Sequence, residues 1–330
     1  MNIAVFGWYH HQNAGDDRIQ RCLTRWLDSH TLAFLPAGRP PPLALLRTYD
    51  AAILGGGGLA RKRGAMFGGM RRWIRSAGIP VALAGISLEG EDDGLVRELR
   101  GALDVCAFAW WRDRGSLEQV GAHPRAFVAP DITWLYPFDP APAGRGVAIG
   151  LRRQGPLARA AWRQALAAID EPLRPWPLYF ENGGDRALAS ELMPGCPVPN
   201  CFTLAPARDA EAVVTGRFHG LLFALQLGRP VLTVSSLPKV RRFLAEHGLD
   251  AWRVDEDRPQ DLVRLWPAFR AAWPALAERA RSLRQTLSSE VSEMAGAARS
   301  RLLGQAAALP PPSRRVRDRL RRVLDLGRWL

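Results

Sequence analysis

A parallel α/β fold is predicted, built as two Rossmann-like domains facing a cleft, with a C-terminal helical tail. Three observations predict it. Short apolar runs alternate with helical patterns along most of the chain. Several of those runs end on a glycine or polar turn just before a helix. The same logic then restarts after the linker Phe138–Gly144, and 330 residues suit two domains of ordinary size.

The elements follow in order. Residues 1–6 read as a strand, and Gly7–Asp17 as a polar turn. A helix over Asp17–Leu27 places Ile19, Leu23, Trp26 and Leu27 on one face, with Asp16 as its N-cap. Ala51–Leu54 is a buried strand running into a loop of four glycines, Gly55–Gly58. A helix over Met66–Ala77 and the strand Val81–Ile86 come next. Helix Leu95–Leu103, strand Val105–Ala109, helix Arg114–Val120 and a strand ending on Asp131 complete the first half. In the second half the strands are Val147–Leu151, Pro177–Phe180, Ala212–Thr215 and Val231–Val234. The helices are Ala158–Ile169, Arg186–Leu192, Leu221–Leu227 and Pro238–Glu246. Residues 262–301 are helical in pattern. The domains are therefore placed at 1–138 and 139–305, with a Pro-rich linker and a basic amphipathic helix over 306–330. Val316, Leu320, Val323, Leu324 and Leu330 line one face of that last helix among seven arginines from Arg314 to Arg328. It suits an anionic membrane surface, and equally a terminal helix docked on the body with a solvated basic face.

Composition narrows the function classes. A hydrophobic fraction of 47% with 23% charged residues fits a globular enzyme and opposes wholesale disorder. No apolar run is long enough to span a bilayer. The first residues look like a strand rather than a signal peptide, so a cytoplasmic location is expected. Four cysteines without a C-x-x-C pair, and six histidines without zinc-like spacing, argue against a structural metal. The net charge of +13 is almost all arginine, since Lys62 and Lys239 are the only lysines. Arginine serves small anionic substrates, nucleic acid or anionic lipid, and it also tracks base composition.

Three constellations carry chemistry. Arg217-Phe218-His219 stands between an apolar strand and a helix start. On a strand Arg217 and His219 would share a face. Histidine, with a pKa of about 6.5, suits proton transfer near neutrality. Arginine offers a planar fork for a carboxylate or phosphate, at about 1.5–3 kcal/mol per charge-assisted bond. The helix start adds unpaired N–H groups and positive potential. Asn13-Ala14-Gly15-Asp16-Asp17 is a tight turn whose side chains cap a helix or orient a donor. Gly55–Gly58 allows close approach of a ligand or of another backbone, and lacks the spacing of a P-loop or a dinucleotide site.

The order G-W-Y-x-x-x-N-x-G-D-D, L-G-G-G-G, W-R-D-x-x-S-L, A-P-D, G-R-F-H-G, L-G-R-P-V and P-K-V-R-R-F-L resembles the polysaccharide pyruvyl transferases over about residues 1–250. The chain departs from the family pattern at His10 and Gln12, where members often carry glycine. The resemblance implies a GT-B-like architecture and transfer of a pyruvyl group from phosphoenolpyruvate to a pair of sugar hydroxyls. The product would be a pyruvate ketal on a cell-surface polysaccharide or its lipid-linked precursor. Phosphoenolpyruvate is a co-substrate, and no cofactor is implied. The partners are phosphoenolpyruvate, a saccharide or lipid-linked oligosaccharide, and an anionic membrane surface through 313–330, with no specific nucleic acid. In this reading His219 donates the proton and Arg217 clamps the donor. Lys239 and the helix start near Ser236 give second anion contacts. Asn13, Gly15 and Asp16, from the opposing domain, bind the acceptor or assist its deprotonation. Gly56 and Gly57 admit substrate, and Arg152, Asn182 and Glu181 are strand-end candidates whose alternative is an ordinary surface position. Two other functions compete: a GT-B glycosyltransferase using a nucleotide-sugar, and a non-enzymatic binder of nucleic acid or anionic lipid.

Overall fold

The computed structural model describes residues 1–37, 42–61, 70–89, 92–142, 144–152 and 156–309. The basic segment around Lys62 and the expected amphipathic helix over 313–330 lie outside the described residues.

The chain divides into two compact units. The first comprises Met1–Tyr9, Ile19–Leu135 and the described residues from Glu290 onward. Its sheet contains β1 (Asn2–Gly7), β2 (Thr31–Pro36), β3 (Ala51–Arg61), β4 (Val81–Glu89), β5 (Ala109–Trp111) and β6 (Ala126–Val128). All neighbours pair in parallel, in the order β2-β1-β3-β4-β5-β6. Its helices are α1 (Ala14–Trp26) from Ile19 onward, α2 (Leu43–Leu46), α3 (Met70–Ala77), α4 (Asp93–Leu103) and α5 (Arg114–Val120). The core is the aliphatic face of the central strands, including Leu54, Leu83 and Ile86, covered by Ile74, Leu99 and Val120 from the helices. Strands buried on both faces need no alternation of polar residues, which is why β4 reads as a continuous apolar run.

The second unit comprises His10–Arg18 and Tyr136–Ser289. Its strands are β7 (Val147–Gly150), β8 (Leu173–Pro175), β9 (Ala212–Thr215), β10 (Val231–Val234) and β11 (Arg253–Val254), in the order β11-β10-β9-β7-β8, again all parallel. Its helices are α6 (Pro156–Ala167), α7 (Gly184–Leu192), α8 (Ala205–Arg208), α9 (Phe218–Gln226), α10 (Pro238–Glu246) and α11 (Pro259–Ala271). The long α12 (Trp273–Ala307) follows. Helix α9 is apolar around its whole circumference, and each of its residues except His219 is buried. Burial of each such Leu or Phe contributes about 1.5–3 kcal/mol, so α9 is held in place by packing rather than by helix propensity.

Several expected elements are corrected. The strand expected over Pro177–Phe180 is instead β8, which starts four residues earlier, and Tyr179 makes only an isolated antiparallel bridge with Asn13. The strand expected at Val105–Ala109 begins where that run ends, at Ala109. The glycine loop is part of β3, which continues through Gly55–Gly58 to Arg61 with a register shift between Gly57 and Ala60. Helix α1 starts at Ala14, three residues early, so Asn13 rather than Asp16 occupies the N-cap. Asn13 Oδ1 accepts from Gly15 N–H at 3.1 Å. Asp16 and Asp17 fall in the first turn, where a negative charge opposes the helix dipole favourably.

Candidate functional site

In the second unit the strand order reverses between β7 and β9, and open α/β sheets bind ligands beyond the carboxyl ends of strands at such a point. There Gly150 pairs with Thr215, and the Thr215 hydroxyl donates to Gly150 C=O at 3.0 Å. Arg217 is the N-cap residue of α9, and its N–H donates to Thr215 Oγ1 at 3.2 Å. His219 therefore sits in the first helical turn, not on a strand face shared with Arg217. Gly220 explains the early helix start. A Cβ there would lie 2.3 Å from Thr215 Oγ1, so only glycine lets α9 begin against β9. The imidazole of His219 stacks on Phe223, with ring centroids 6.0 Å apart and planes at 28°.

Three more candidates converge at the same strand ends. Arg152 follows β7 by two residues, and a Cβ on Gly216 would meet its backbone N at 3.3 Å. Its guanidinium is held by Glu256, with Nε 2.8 Å from Oε1 and Nη2 2.9 Å from Oε2. Glu256 is placed in turn by the buried Trp162, whose indole N–H donates to Glu256 C=O at 2.9 Å. Ser236 and Lys239 lie at the β10–α10 junction, where Lys239 Nζ is 6.0 Å from the Phe218 ring. The first turns of α9 and α10 lie at these strand ends with Arg152, Arg217 and Lys239, of which Arg152 and Arg217 are each paired with a carboxylate.

Arg217 is not a bare clamp. Its Nε donates to Asp185 Oδ2 at 2.9 Å, its Nη2 donates to Asp185 Oδ1, and its guanidinium lies 5.3 Å from the Tyr179 ring centre. The Asp185 side chain is 1% exposed. Burial pushes its carboxyl above the usual carboxylate value, and Arg217 pulls it back down. A carboxyl raised by folding contributes most stability below its unfolded pKa, and that contribution is lost as pH rises through the folded value. Arg217→Gln removes the offsetting cation. The variant is therefore expected to lose stability relative to the parent above about pH 4, with the gap closing in acid, when melting temperatures are followed against pH.

The N-terminal turn, expected from the opposing domain, belongs with this unit. Ala14 N–H donates to Leu178 C=O at 2.9 Å and Phe180 N–H to Gln12 C=O at 3.1 Å. Arg18 donates to Tyr136 C=O and stacks 4.1 Å over Phe138. These bonds bring Gly15 against His219: a Cβ on Gly15 would lie 1.7 Å from His219 Nδ1. Gly15 thus meets His219, with Asn13 and Asp16 on the same turn and Arg217 two residues before the histidine. Beside them, Glu181 accepts from Tyr179 Oη at 2.5 Å and pairs with His11 Nδ1 at 3.0 Å. Asn182, the following residue, has φ 50° and ψ 38°. His10 and Gln12 also have positive φ, at 66° and 49°, each at a cost of roughly 1–2 kcal/mol for a residue bearing a Cβ. Asp185, Glu256 and Tyr179 were not legible as site residues. The only local sign for Asp185 is its place in the polar run Glu181–Asp185, in the first turn of α7.

In the first unit Gly56, with φ 81°, has a packing role: a Cβ would lie 2.4 Å from Ile19 Cγ2 of α1. Gly57, with φ 83°, pairs with Ile86 of β4. The W-R-D and A-P-D motifs assemble a buried ion pair at the ends of β5 and β6. Arg112 Nη1 is 2.9 Å from Asp131 Oδ2, both side chains are 2% exposed, and Arg112 Nε donates to Ser87 Oγ at 2.6 Å. Asp113 caps α5 by accepting from Ser116 N–H and Ser116 Oγ, each at 2.8 Å.

A cavity of about 880 Å³ in the second unit is lined by Arg145, Arg229, Arg270, Arg281, Glu171 and Glu211 among others. Arg229 is spent on backbone carbonyls of Pro142, Ala207 and Arg208, and Arg270 on Asp170 and Glu171. Among the described residues no group of three or more His, Cys, Asp or Glu side chains could hold a metal ion, and no helix is long and apolar enough to cross a membrane.

Known structures resemble the chain along nearly its whole length. Staphylococcus aureus MnaA in complex with UDP is 10% identical, with 94% of this chain and 99% of that one covered and a TM-score of 0.60. UDP-GlcNAc 2-epimerase from Neisseria meningitidis bound to UDP-GlcNAc is 9% identical over 92% and 100% of the two chains, with a TM-score of 0.58. MurG of Acinetobacter baumannii is 13% identical over 90% and 99%, with a TM-score of 0.54. The fold is GT-B-like. At these identities the likeness fixes the fold class alone. No family model matches the sequence, and no curated protein matches it.

Proposed function

We propose that this GT-B-like chain is a transferase that joins an activated anionic donor to hydroxyl groups of a saccharide, with phosphoenolpyruvate as the donor. The observation that carries the reading is the contact of His219 with the Gly15 turn at the β7/β9 switch point. It unites the two most specific motifs of the pyruvyl transferase resemblance in one corner. Phosphoenolpyruvate presents a carboxylate and a phosphate. The first turns of α9 and α10, Arg152, Arg217 and Lys239 would hold them, Ser236 adding a contact from the β10–α10 loop. His219 protonates C3, which makes C2 electrophilic. One sugar hydroxyl adds at C2, a second displaces phosphate, and the ketal closes. Asn13, Asp16 and Asn182 offer side-chain partners for the acceptor's hydroxyls. A lipid-linked oligosaccharide is the acceptor class, approached from a membrane surface that the basic 313–330 segment would bind.

A second reading, glycosyl transfer from a nucleotide-sugar, is favoured by a specific observation: two of the structural neighbours hold UDP or UDP-GlcNAc. The same helix starts would then face a diphosphate. A thermal-shift panel separates the two, followed by phosphate release and acceptor mass measured with phosphoenolpyruvate. Stabilisation by phosphoenolpyruvate and a mass gain of one pyruvyl ketal support the first reading. Stabilisation by nucleotide-sugars alone overturns it. In either chemistry His219→Gln is expected to lower kcat about 100-fold or more with an unchanged melting temperature, because the imidazole is half-buried and its loss leaves α9 packed. Near-normal turnover of a folded H219Q protein removes His219 from the mechanism.

A further inference from the structure

Among the described residues, the three non-glycine residues with positive φ are His10, Gln12 and Asn182. All three adjoin one pair of side chains. His10 and Gln12 flank His11, and Asn182 follows Glu181, whose Oε1 is 3.0 Å from His11 Nδ1. Strained backbone persists where the surroundings over-determine it, and it clusters at functional positions. Here two segments far apart in the chain carry the strain on behalf of the same contact.

The chemistry of that contact is directional. A carboxylate only accepts, so Nδ1 carries the shared proton, and in the neutral ring the lone pair then lies on Nε2. Glu181 Oε2 accepts from Tyr179 Oη at 2.5 Å. The Tyr179 hydrogen bond, then His11, holds the Glu181 carboxyl below the usual range, while the same bond pushes the Tyr179 hydroxyl up to about 12. Glu181 stays ionised and Tyr179 neutral. The two paired side chains remain 28% and 34% exposed, so a substrate can reach them. Tyr179 also lies beneath Arg217, itself fixed by Asp185, which joins the pair to the anion corner. The charged and titratable groups linked to His11 include Glu181 directly, Tyr179 through it, and Arg217 with Asp185 beyond.

We infer that His11 and Glu181 form a histidine–carboxylate dyad that acts as general base toward the acceptor hydroxyl. This rests on the transferase reading of the corner. As the hydroxyl oxygen bonds to the donor's electrophilic carbon, its O–H bond breaks and the proton passes to His11 Nε2. The resulting imidazolium is stabilised by Glu181. With phosphoenolpyruvate, two hydroxyl protons are released over the reaction. One replaces the proton that His219 gave to C3, and the other leaves with phosphate, which takes the electron pair of its bond to C2.

The test uses the full chain and two readouts. In the free protein at fixed pH, the nitrogen chemical shifts of the neutral His11 ring are expected to place its proton on Nδ1, and Glu181→Ala to move it toward Nε2. In steady-state assays with phosphoenolpyruvate and with nucleotide-sugars, His11→Gln is expected to lower kcat about 100-fold with little change in donor KM. Glu181→Ala should lower kcat in the same sense, again with little change in donor KM. A folded H11Q protein whose kcat stays within about threefold of an active parent overturns the dyad alone. So does a His11 tautomer indifferent to E181A. A parent inert toward every donor overturns the transferase reading, and the base role with it.

Discussion

Gly15→Ala is expected to abolish turnover in a chain that still folds. The added methyl would lie 1.7 Å from His219 Nδ1, 2.3 Å from Cγ and 2.5 Å from Cε1, far inside van der Waals contact. Helix α9 cannot retreat, because Gly220 already packs directly on Thr215 and the helix is otherwise buried. Either the imidazole leaves its stack on Phe223, or the turn lifts and breaks the Ala14–Leu178 bond and the Asn13–Tyr179 bridge. A displacement of about 1 Å in a catalytic group costs on the order of 100-fold in rate, and overpacking adds about 1–3 kcal/mol of destabilisation. Paired measurements of kcat/KM and melting temperature check this. Gly296→Ala is the control: nothing lies within 4 Å of a Cβ there, in the middle of α12. It should stabilise the chain by about 0.5–1 kcal/mol without touching activity. Full turnover in G15A would show that the Gly15–His219 contact does not position the imidazole.

Asp131→Ala is expected to produce the largest loss of stability of any single substitution considered. It takes the Asp131 carboxylate from the Arg112 guanidinium where both side chains are 2% exposed. Removing one member of a buried pair costs about 3–5 kcal/mol, because the remaining charge has no water to return to. In a chain of this size that corresponds to a fall of roughly 10 °C in melting temperature. The exposed Arg281–Glu278 pair gives the contrast, with side chains 53% and 72% exposed. Its loss should cost less than about 1 kcal/mol. Replacing both buried partners together, as Arg112→Met with Asp131→Leu, should recover most of the loss. A D131A protein that melts with the parent would show that the pair adds nothing to the fold. The W-R-D and A-P-D motifs, met in the sequence beside the candidate site motifs, would thus act on stability rather than chemistry.

The readable and unreadable parts of the chain differ for physical reasons. Helix α10 was legible to the residue, Pro238–Glu246, because Pro suits a first helical position and the run is amphipathic. Helix α5 was legible from Asp113 followed by Ser116, residue types that cap. Strands β2, β8 and β11 were missed. They are short or lie at sheet edges, and what makes them strands is the hydrogen-bonded neighbour rather than any local period. The glycine tract looked like a loop because glycine breaks strands on average. In β3 it is retained because Ile19 of α1 needs the space over Gly56.

The same division holds at the site. The residue types alone set its chemistry: a histidine and an arginine after an apolar strand, a glycine turn rich in side-chain oxygens, and helix starts to hold an anion. Sequence order also determined the alternation that makes two parallel sheets. Only the tertiary structure decided who meets whom. It moved His219 into a helix, tied Arg217 to the buried Asp185 and Arg152 to Glu256, and laid Gly15 on the imidazole. Those pairings span from 32 to 204 residues of chain, and no local pattern encodes them. They follow from strand order and from close packing, which choose partners by shape and by the need to satisfy every buried charge.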